Sequence, residues 1–223
     1  LSRQTTNFFN ANQFDCVIHL AAQAGVRHSI EFPMEYINSN VVAFTNILEG
    51  CKNTSLKHLI YASTSSVYGS ENAFPLKEEL PCNQPMQLYA ATKKANELMA
   101  YSYGSLYNLP STGLRFFTVY GPWGRPDMAY FKFTKNILNQ HPISLYNFGE
   151  MKRDFTYIDD IAEGILKIVY KKKVARLSSV YNIGRGQEVK LMDFIREIEK
   201  NLEKKAKIKK LPMQLGDITS SNA

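Results

Sequence analysis

Apolar positions along the first half of the chain fall into two alternating patterns. Residues 14–22, Phe-Asp-Cys-Val-Ile-His-Leu-Ala-Ala, form a short run with β-branched members, the pattern of a strand buried on both faces in a parallel sheet. The run His58-Leu59-Ile60-Tyr61-Ala62 reads as a second buried strand, and Ser111 to Phe117 as a third. Between the first two, Ile37, Val41, Phe44 and Leu48 recur at helical intervals over Pro33 to Asn53. Between the second and third, Leu88 to Tyr107 has helical periodicity, with Leu88, Ala91, Ala95, Leu98, Met99 and Leu106 as its expected apolar side and Tyr89 and Lys93 near that side's edge. Strand and helix alternating in this way predict a parallel sheet with right-handed crossovers, an α/β fold.

Beyond Asp127 the rhythm loosens. A helix is expected from Ala129 to Gln140, a short strand over Ile143 to Tyr146, and a helix marked by Ile158, Ile161, Ile165 and Ile168. Val180 to Ile183 reads as a strand, Leu191 to Leu202 as an amphipathic helix and Ile208 to Leu211 as a last strand. These pieces predict a smaller lobe built partly from the C-terminal third. The Pro-containing stretch Ser70 to Gln87 disfavours helix.

Candidate chemistry gathers where predicted strands end. The His58 strand runs into Ser63-Thr64-Ser65-Ser66-Val67-Tyr68-Gly69, and the helix after the loop carries Tyr89 and Lys93. Residues four apart on a helix share a face, so the Lys93 ammonium can favour the phenolate of Tyr89 and make it a general base. A surface Tyr and Lys spaced by four would look the same. Ala21, Ala22 and Gly25 suit close approach of a ligand to the backbone, and suit a tightly packed turn equally. Asn40 can aim its amide at the strand ends or serve as a capping or surface residue. The Gly- and Pro-rich loop holding Arg125 is a place to position a ligand, with a surface ion pair as the plainer reading of that Arg. Asp159 and Asp160 have no His or Cys nearby and suit a helix N-terminus, so no metal site is expected.

Composition narrows the class. With 223 residues and 44% hydrophobic content the chain holds one substantial domain, or one domain and a small lobe. Its apolar runs are shorter than the roughly 18 to 20 residues that span a bilayer, and no leader pattern opens it. Three unpaired-looking cysteines, Cys16, Cys51 and Cys82, suit a reducing cytoplasm. The formal charge of +7 suits an anionic ligand, but its excess sits in Lys171-Lys172-Lys173 and the Lys204 to Lys210 stretch. Those runs lack interleaved aromatics, so they read as solvated faces and not as a nucleic-acid or membrane surface.

Together, His19-Leu20-Ala21-Ala22-Gln23-Ala24-Gly25-Val26-Arg27, Asn40, the 63–69 cluster, Tyr89 with Lys93, Arg115 to Pro122, Lys152-Arg153-Asp154-Phe155 and Tyr181-Asn182-Ile183-Gly184 resemble the extended short-chain dehydrogenase/reductases. Within that family the chain is similar to NAD-dependent nucleotide-sugar 4-epimerases. The resemblance implies a partial Rossmann-like, doubly wound parallel sheet over residues 1–125 and a mostly substrate-binding lobe over 126–223, with segments returning to the first domain. It also implies NAD as cofactor, with Tyr89 as base, Lys93 on the nicotinamide ribose and Thr64 on the sugar's 4-oxygen. The spacing from Thr64 to Tyr89, 25 residues, agrees with that pattern. Cofactor contacts are implied for Leu20, Ala21, Ala22, Gln23, Asn40, Ser63, Tyr89, Lys93 and Phe116. Substrate contacts are implied for Arg27, Ser65, Ser66, Thr118, Arg125 and Arg153.

Ser65 and Ser66 stand where dehydratase relatives carry Asp-Glu, which speaks against dehydration. With Gln23 to Arg27, Thr118 and Gly124 to Met128, they look most like UDP-glucuronate 4-epimerases. The implied partner is a UDP-sugar, and the full-length form is expected to be a homodimer. Another UDP-sugar epimerase, a decarboxylase, and a truncated non-catalytic remnant remain as alternatives. The sequence opens with Leu1 and lacks the family's GxxGxxG, so it reads as N-terminally truncated, its first βαβ units missing, with the activity of this stretch alone in doubt.

Overall fold

A computed structural model describes residues 3–71, 73–170 and 177–223. The run Lys171-Lys172-Lys173 lies outside the described residues. The chain divides into two compact units, the first formed by Leu1–Glu71, Lys77–Phe116 and Glu163–Ile183, the second by Asn72–Leu76, Phe117–Ala162 and Gly184–Ala223.

The first unit is an α/β layer structure around a parallel four-stranded sheet in the order β1 (Cys16–His19), β2 (His58–Thr64), β3 (Ser111–Phe116), β7 (Ser178–Ile183). The register sets His19 level with Tyr61, and Thr64 level with Phe116. β2 has a strand on each side and six of its seven residues are buried, as its unbroken apolar run predicts. β1 departs from expectation. It spans only four residues and pairs with β2 alone among the described residues, so Ile18 is 44% exposed and not buried on both faces.

Helix α1 (Arg3–Ala11) precedes β1, a helix the apolar pattern leaves unmarked. The helical stretch predicted over 33–53 is a composite: after α2 (His28–Glu31) come α3 (Pro33–Tyr36), a π-helical turn (Ile37–Val42) and α4 (Ala43–Lys52). Tyr36, Asn40, Phe44 and Leu48 are all buried, each four residues after the last. On a straight α-helix a four-residue step drifts about 40° around the axis, and the wide turn offsets part of that drift. Phe44, Leu48 and Cys51 meet Leu59, Tyr61 and Ala100 in this unit's core.

Helix α5 (Leu88–Tyr107) buries a different side from the one its apolar residues suggest. Leu98 and Leu106 are exposed, while Ala90, Lys93, Glu97, Ala100 and Gly104 form the buried stripe at steps of three and four. Small residues let the helix lie close, and the two charges between them belong to the site described below.

In the second unit β4 (Thr118–Tyr120) runs parallel to β6 (Lys152–Tyr157), which pairs antiparallel with β8 (Glu188–Lys190). β5 (Pro142–Leu145) pairs in parallel with β9 (Lys207–Lys210), and α6 (Ala129–Leu138) and α8 (Leu191–Leu202) complete a core around Phe133, Ile137, Ile143, Leu145, Leu191 and Ile195. Helix α7 (Ile158–Val169) begins in this unit and ends in the first. Among the described residues no helix is long and apolar enough to cross a membrane.

Tyr61, fully buried in β2, has no hydrogen-bond partner for its hydroxyl among the described residues. Its ring occupies the space beside Gly113, where an added Cβ would lie 2.7 Å from that hydroxyl and 2.8 Å from the ring carbon bearing it. Tyr61→Phe removes an unsatisfied buried group and should raise unfolding stability by about 1 kcal/mol. Gly113→Ala overpacks the same place and should lower stability by about 1–3 kcal/mol, with or without the hydroxyl. Urea denaturation midpoints at constant slope test both.

Candidate active site

The carboxyl end of β1 opens into Leu20–Gly25. Leu20, Ala21 and Ala22 are exposed, so this segment is not a tightly packed turn. Asn40 fastens this segment. Its side-chain oxygen accepts from the Gln23 N–H at 2.8 Å, and its amide nitrogen donates to the Gln23 carbonyl at 2.9 Å and the Thr92 hydroxyl at 3.0 Å. Thr92 in turn donates to the Tyr89 carbonyl at 2.8 Å, and Asn96 donates to the Asn40 carbonyl at 2.7 Å. Asn40 is therefore neither a cap nor a surface residue. One amide in the π turn ties the β1 loop to the first turns of α5. Nearby, the Tyr36 hydroxyl donates to the Gly25 carbonyl at 2.7 Å, and its ring meets the Tyr89 ring edge-on at 6.1 Å.

β2 delivers the hydroxyl cluster. Thr64 ends the strand in extended conformation, and its hydroxyl accepts from the Ser66 N–H at 3.2 Å, capping the 3-10 turn Ser65–Tyr68. Gly69 closes that turn at φ 63°, with the Gln84 carbonyl where a Cβ would stand. Ser63, one residue earlier, points the other way and donates to Glu97 at 2.7 Å.

Glu97 is the buried charged residue of the candidate site that the apolar pattern hides. It lies four residues after Lys93, as Lys93 lies four after Tyr89, so all three share a stripe of α5. That i, i+4, i+8 spacing is the signal that could have found it. The carboxylate takes two parallel hydrogen bonds from Arg115, at 2.8 and 2.9 Å, and one from Lys94 at 3.1 Å. The Arg115 guanidinium also donates to the Tyr68 hydroxyl at 2.9 Å and lies 4.8 Å from that ring's centre. Tyr68 donates to Asn182 at 2.7 Å. Burial works against the Glu97 charge, but Arg115, Ser63 and Lys94 outweigh it and hold its pKa below the usual carboxylate range. Burial works against Arg115 as well, and Glu97 and Tyr68 outweigh it, raising its pKa.

Lys93 differs from these. It is 2% exposed, and its ammonium makes no hydrogen bond or ion pair among the described residues. Burial pulls its pKa down from 10.5 to about 8, against the opposing pull of Glu97. At the end of β1, His19 is held neutral, its pKa lowered to about 4 by burial and by the Lys93 charge.

The first unit thus brings Leu20 to Gln23, Asn40, Ser63, Thr64, Tyr89, Lys93 and Phe116 to the strand ends and the flanking α5 helix. Ser65, Ser66 and Arg27 belong to the same unit, and Thr118, Arg125 and Arg153 to the second. In the second unit Arg125 pairs with Asp127 at 2.9 Å, an exposed contact. The Arg153 guanidinium donates to the carbonyls of Lys152, Ile218 and Thr219 at 2.7, 2.8 and 3.2 Å. Asp154 is fully buried and accepts from the backbone N–H groups of Arg185 and Gly186, each at 2.9 Å.

Residues 2–184 match the NAD dependent epimerase/dehydratase family. Protein CapI of Staphylococcus aureus is 50% identical over 230 residues, which span 96% of this chain and 69% of that protein. A probable UDP-glucuronate 4-epimerase of Rhizobium meliloti (strain 1021) is 49% identical over 220 residues, spanning 92% of this chain and 64% of that protein. The crystal structure of UDP-glucuronic acid 4-epimerase from Bacillus cereus, in complex with UDP-glucuronic acid and NAD, superposes with a TM-score of 0.93 at 34% identity. That superposition covers 100% of this chain and 69% of the other.

Holding a buried ammonium costs stability wherever it is charged. The interval from about 8 to 10.5 for Lys93 corresponds to about 3 kcal/mol at 1.36 kcal/mol per pH unit. Below pH 8 both the folded and the unfolded lysine carry a proton, so the penalty is complete. Between pH 8 and 10.5 the unfolded chain holds more protons, so stability rises with pH. Lys93→Met should therefore exceed the parent in stability at pH 7, and the gap should close between pH 8 and 10.5. Denaturation curves across that range measure it.

Proposed function

The chain belongs to the NAD dependent epimerase/dehydratase family, and from that premise we propose that it catalyses NAD-dependent 4-epimerisation of a UDP-sugar, interconverting UDP-glucuronate and UDP-galacturonate. The observation that carries this reading is Lys93, a buried ammonium with unengaged donors on the same helical stripe as Tyr89. Three N–H donors in a dry site call for acceptor oxygens, and a ribose diol supplies them. The exposed segment Leu20 to Ala22 gives a cofactor room to approach. Those two features fit NAD, whose part when bound is to accept and return the reducing equivalents at the sugar's C4.

The chain's own residues handle the proton and the orientation. Tyr89 takes the proton of the C4 hydroxyl as the 4-keto sugar forms and gives it back once the sugar has presented its other face. The positive charge of Lys93 favours the phenolate that this requires. Thr64, at the last position of β2, holds the 4-oxygen. Substrate contacts by Arg27, Ser65, Ser66, Thr118, Arg125 and Arg153 rest on the family resemblance, with the hydroxyls suited to the uronate carboxylate and Arg125 and Arg153 to the diphosphate.

A cytoplasmic setting is proposed on the three free cysteines, Cys16, Cys51 and Cys82. A homodimer is proposed because Leu98 and Tyr101 on α5 are 61% and 65% exposed and Val42 in the neighbouring π turn is 49% exposed, apolar surface that a second copy would cover.

The full-length form supplied with UDP-glucuronate and NAD+ should accumulate UDP-galacturonate, followed by the anomeric proton signals. Absence of product would overturn the specificity. Tyr89→Phe should lower kcat by about 10²–10⁴-fold, the span of a lost general base. Light scattering should give twice the 25.4 kDa chain mass, and Leu98→Glu should halve it.

A further inference from the structure

We propose that Glu97 is a positioning residue of the site: clamped by Arg115, its carboxylate anchors Ser63 at the end of β2 and fixes a negative charge about one helical turn from Lys93. The inference rests on the proposed epimerase reading for its link to catalysis, but its geometry stands without it.

Three observations support it. The carboxylate is 6% exposed and accepts from residues on β2, β3 and its own helix, namely Ser63, Arg115 and Lys94. That set uses both oxygens and fixes the side chain in one orientation. Arg115 is held in turn by Tyr68 and by the Glu78 carbonyl at 3.3 Å, and the Glu78 carboxylate accepts from the Asn182 N–H at 2.7 Å, so the clamp is braced from outside the helix. Finally, Lys93 has burial as its dominant burden and Glu97 as the charge opposing it. Among the described residues the charged groups coupled to Lys93 are His19 from β1 and Glu97 from α5, and Glu97 is coupled in turn to Tyr61, Lys94 and Arg115. His19 is neutral above pH 5, with its pKa at about 4, and does not offset the loss of a carboxylate.

Removing the negative charge lowers the Lys93 pKa, so Lys93 loses its proton at lower pH and the alkaline limb of the rate profile moves down. A group that only packs the helix would leave Lys93's titration where it is. The test follows the Lys93 side-chain carbon signal by NMR in lysine-labelled protein, assigned from its disappearance in Lys93→Arg. Glu97→Gln should move the midpoint down by about 1 pH unit, and Glu97→Asp, which keeps the charge, should return it toward the parent value. An unmoved midpoint in folded Glu97→Gln overturns the proposal. Where Glu97→Gln leaves Arg115 unpaired and the protein does not fold, the comparison moves to an Arg115→Met background: the midpoint in Arg115→Met with Glu97→Gln should lie about 1 pH unit below that in Arg115→Met alone, and equal midpoints overturn the proposal. The titration needs no turnover, so a parent chain that fails to epimerise UDP-glucuronate overturns the function reading and leaves this one to be decided by the midpoint alone.

Discussion

The first unit is organised around charge placed on the buried side of one helix. Ala90, Ala100 and Gly104 allow α5 to lie close to its neighbours, and Lys93 and Glu97 occupy the same stripe between them. Taking ions out of water is costly, and removing one partner of a buried pair costs about 3–5 kcal/mol. Glu97 and Arg115 offset that cost by meeting through two parallel hydrogen bonds, with Ser63, Lys94 and Tyr68 using the remaining positions. The ends of β2 and β3 and the Tyr68 turn are thereby tied to one helix face. Lys93 keeps its donors unengaged among the described residues, which is what the proposed contact to a ribose diol calls for.

Most regular elements were legible because their patterns are local. The strand at His58 is an unbroken apolar run and is buried along most of its length. Less visible was what depends on partners distant in sequence. β4 and β8 have three residues each, and β6 carries the polar series Lys152-Arg153-Asp154, whose pairing is set by strands before and after it. The apolar residues of α5 misidentified its buried side, since Leu98 and Leu106 face out while Glu97 faces in. Periodicity scores an acid as solvent-facing, and the partners that reverse that include Ser63, 34 residues earlier, and Arg115, 18 residues further on.

The candidate site was legible to the extent that a short spacing encoded it. Tyr89 and Lys93 are four apart, and helix geometry does the rest. Ser63 and Thr64 show the converse. Adjacent residues of a strand face opposite ways, so one hydroxyl goes to Glu97 and the other caps the following turn. Neighbours in sequence thus have separate fates. Arg125 and Arg153 were placed in ligand roles by motif, and the structure gives both guanidiniums partners within the second unit, a carboxylate for one and carbonyls for the other. Sequence identifies a cation well and identifies its partner poorly.

The π-helical turn at Ile37–Val42 has a consequence for how such chains change over time. A wide turn is an α-helix carrying one surplus residue, and here the surplus rotates Asn40 to where its amide grips Gln23. Deleting one residue of that turn other than Asn40 would let the helix relax to ordinary pitch while sweeping Asn40 about 100° around the axis relative to the helix beyond the deletion, away from the loop it holds. The helix would gain regularity and the site would lose its fastening. Length in this segment is therefore under tighter constraint than composition: a one-residue gap within it separates chains that keep the fastening from chains that do not.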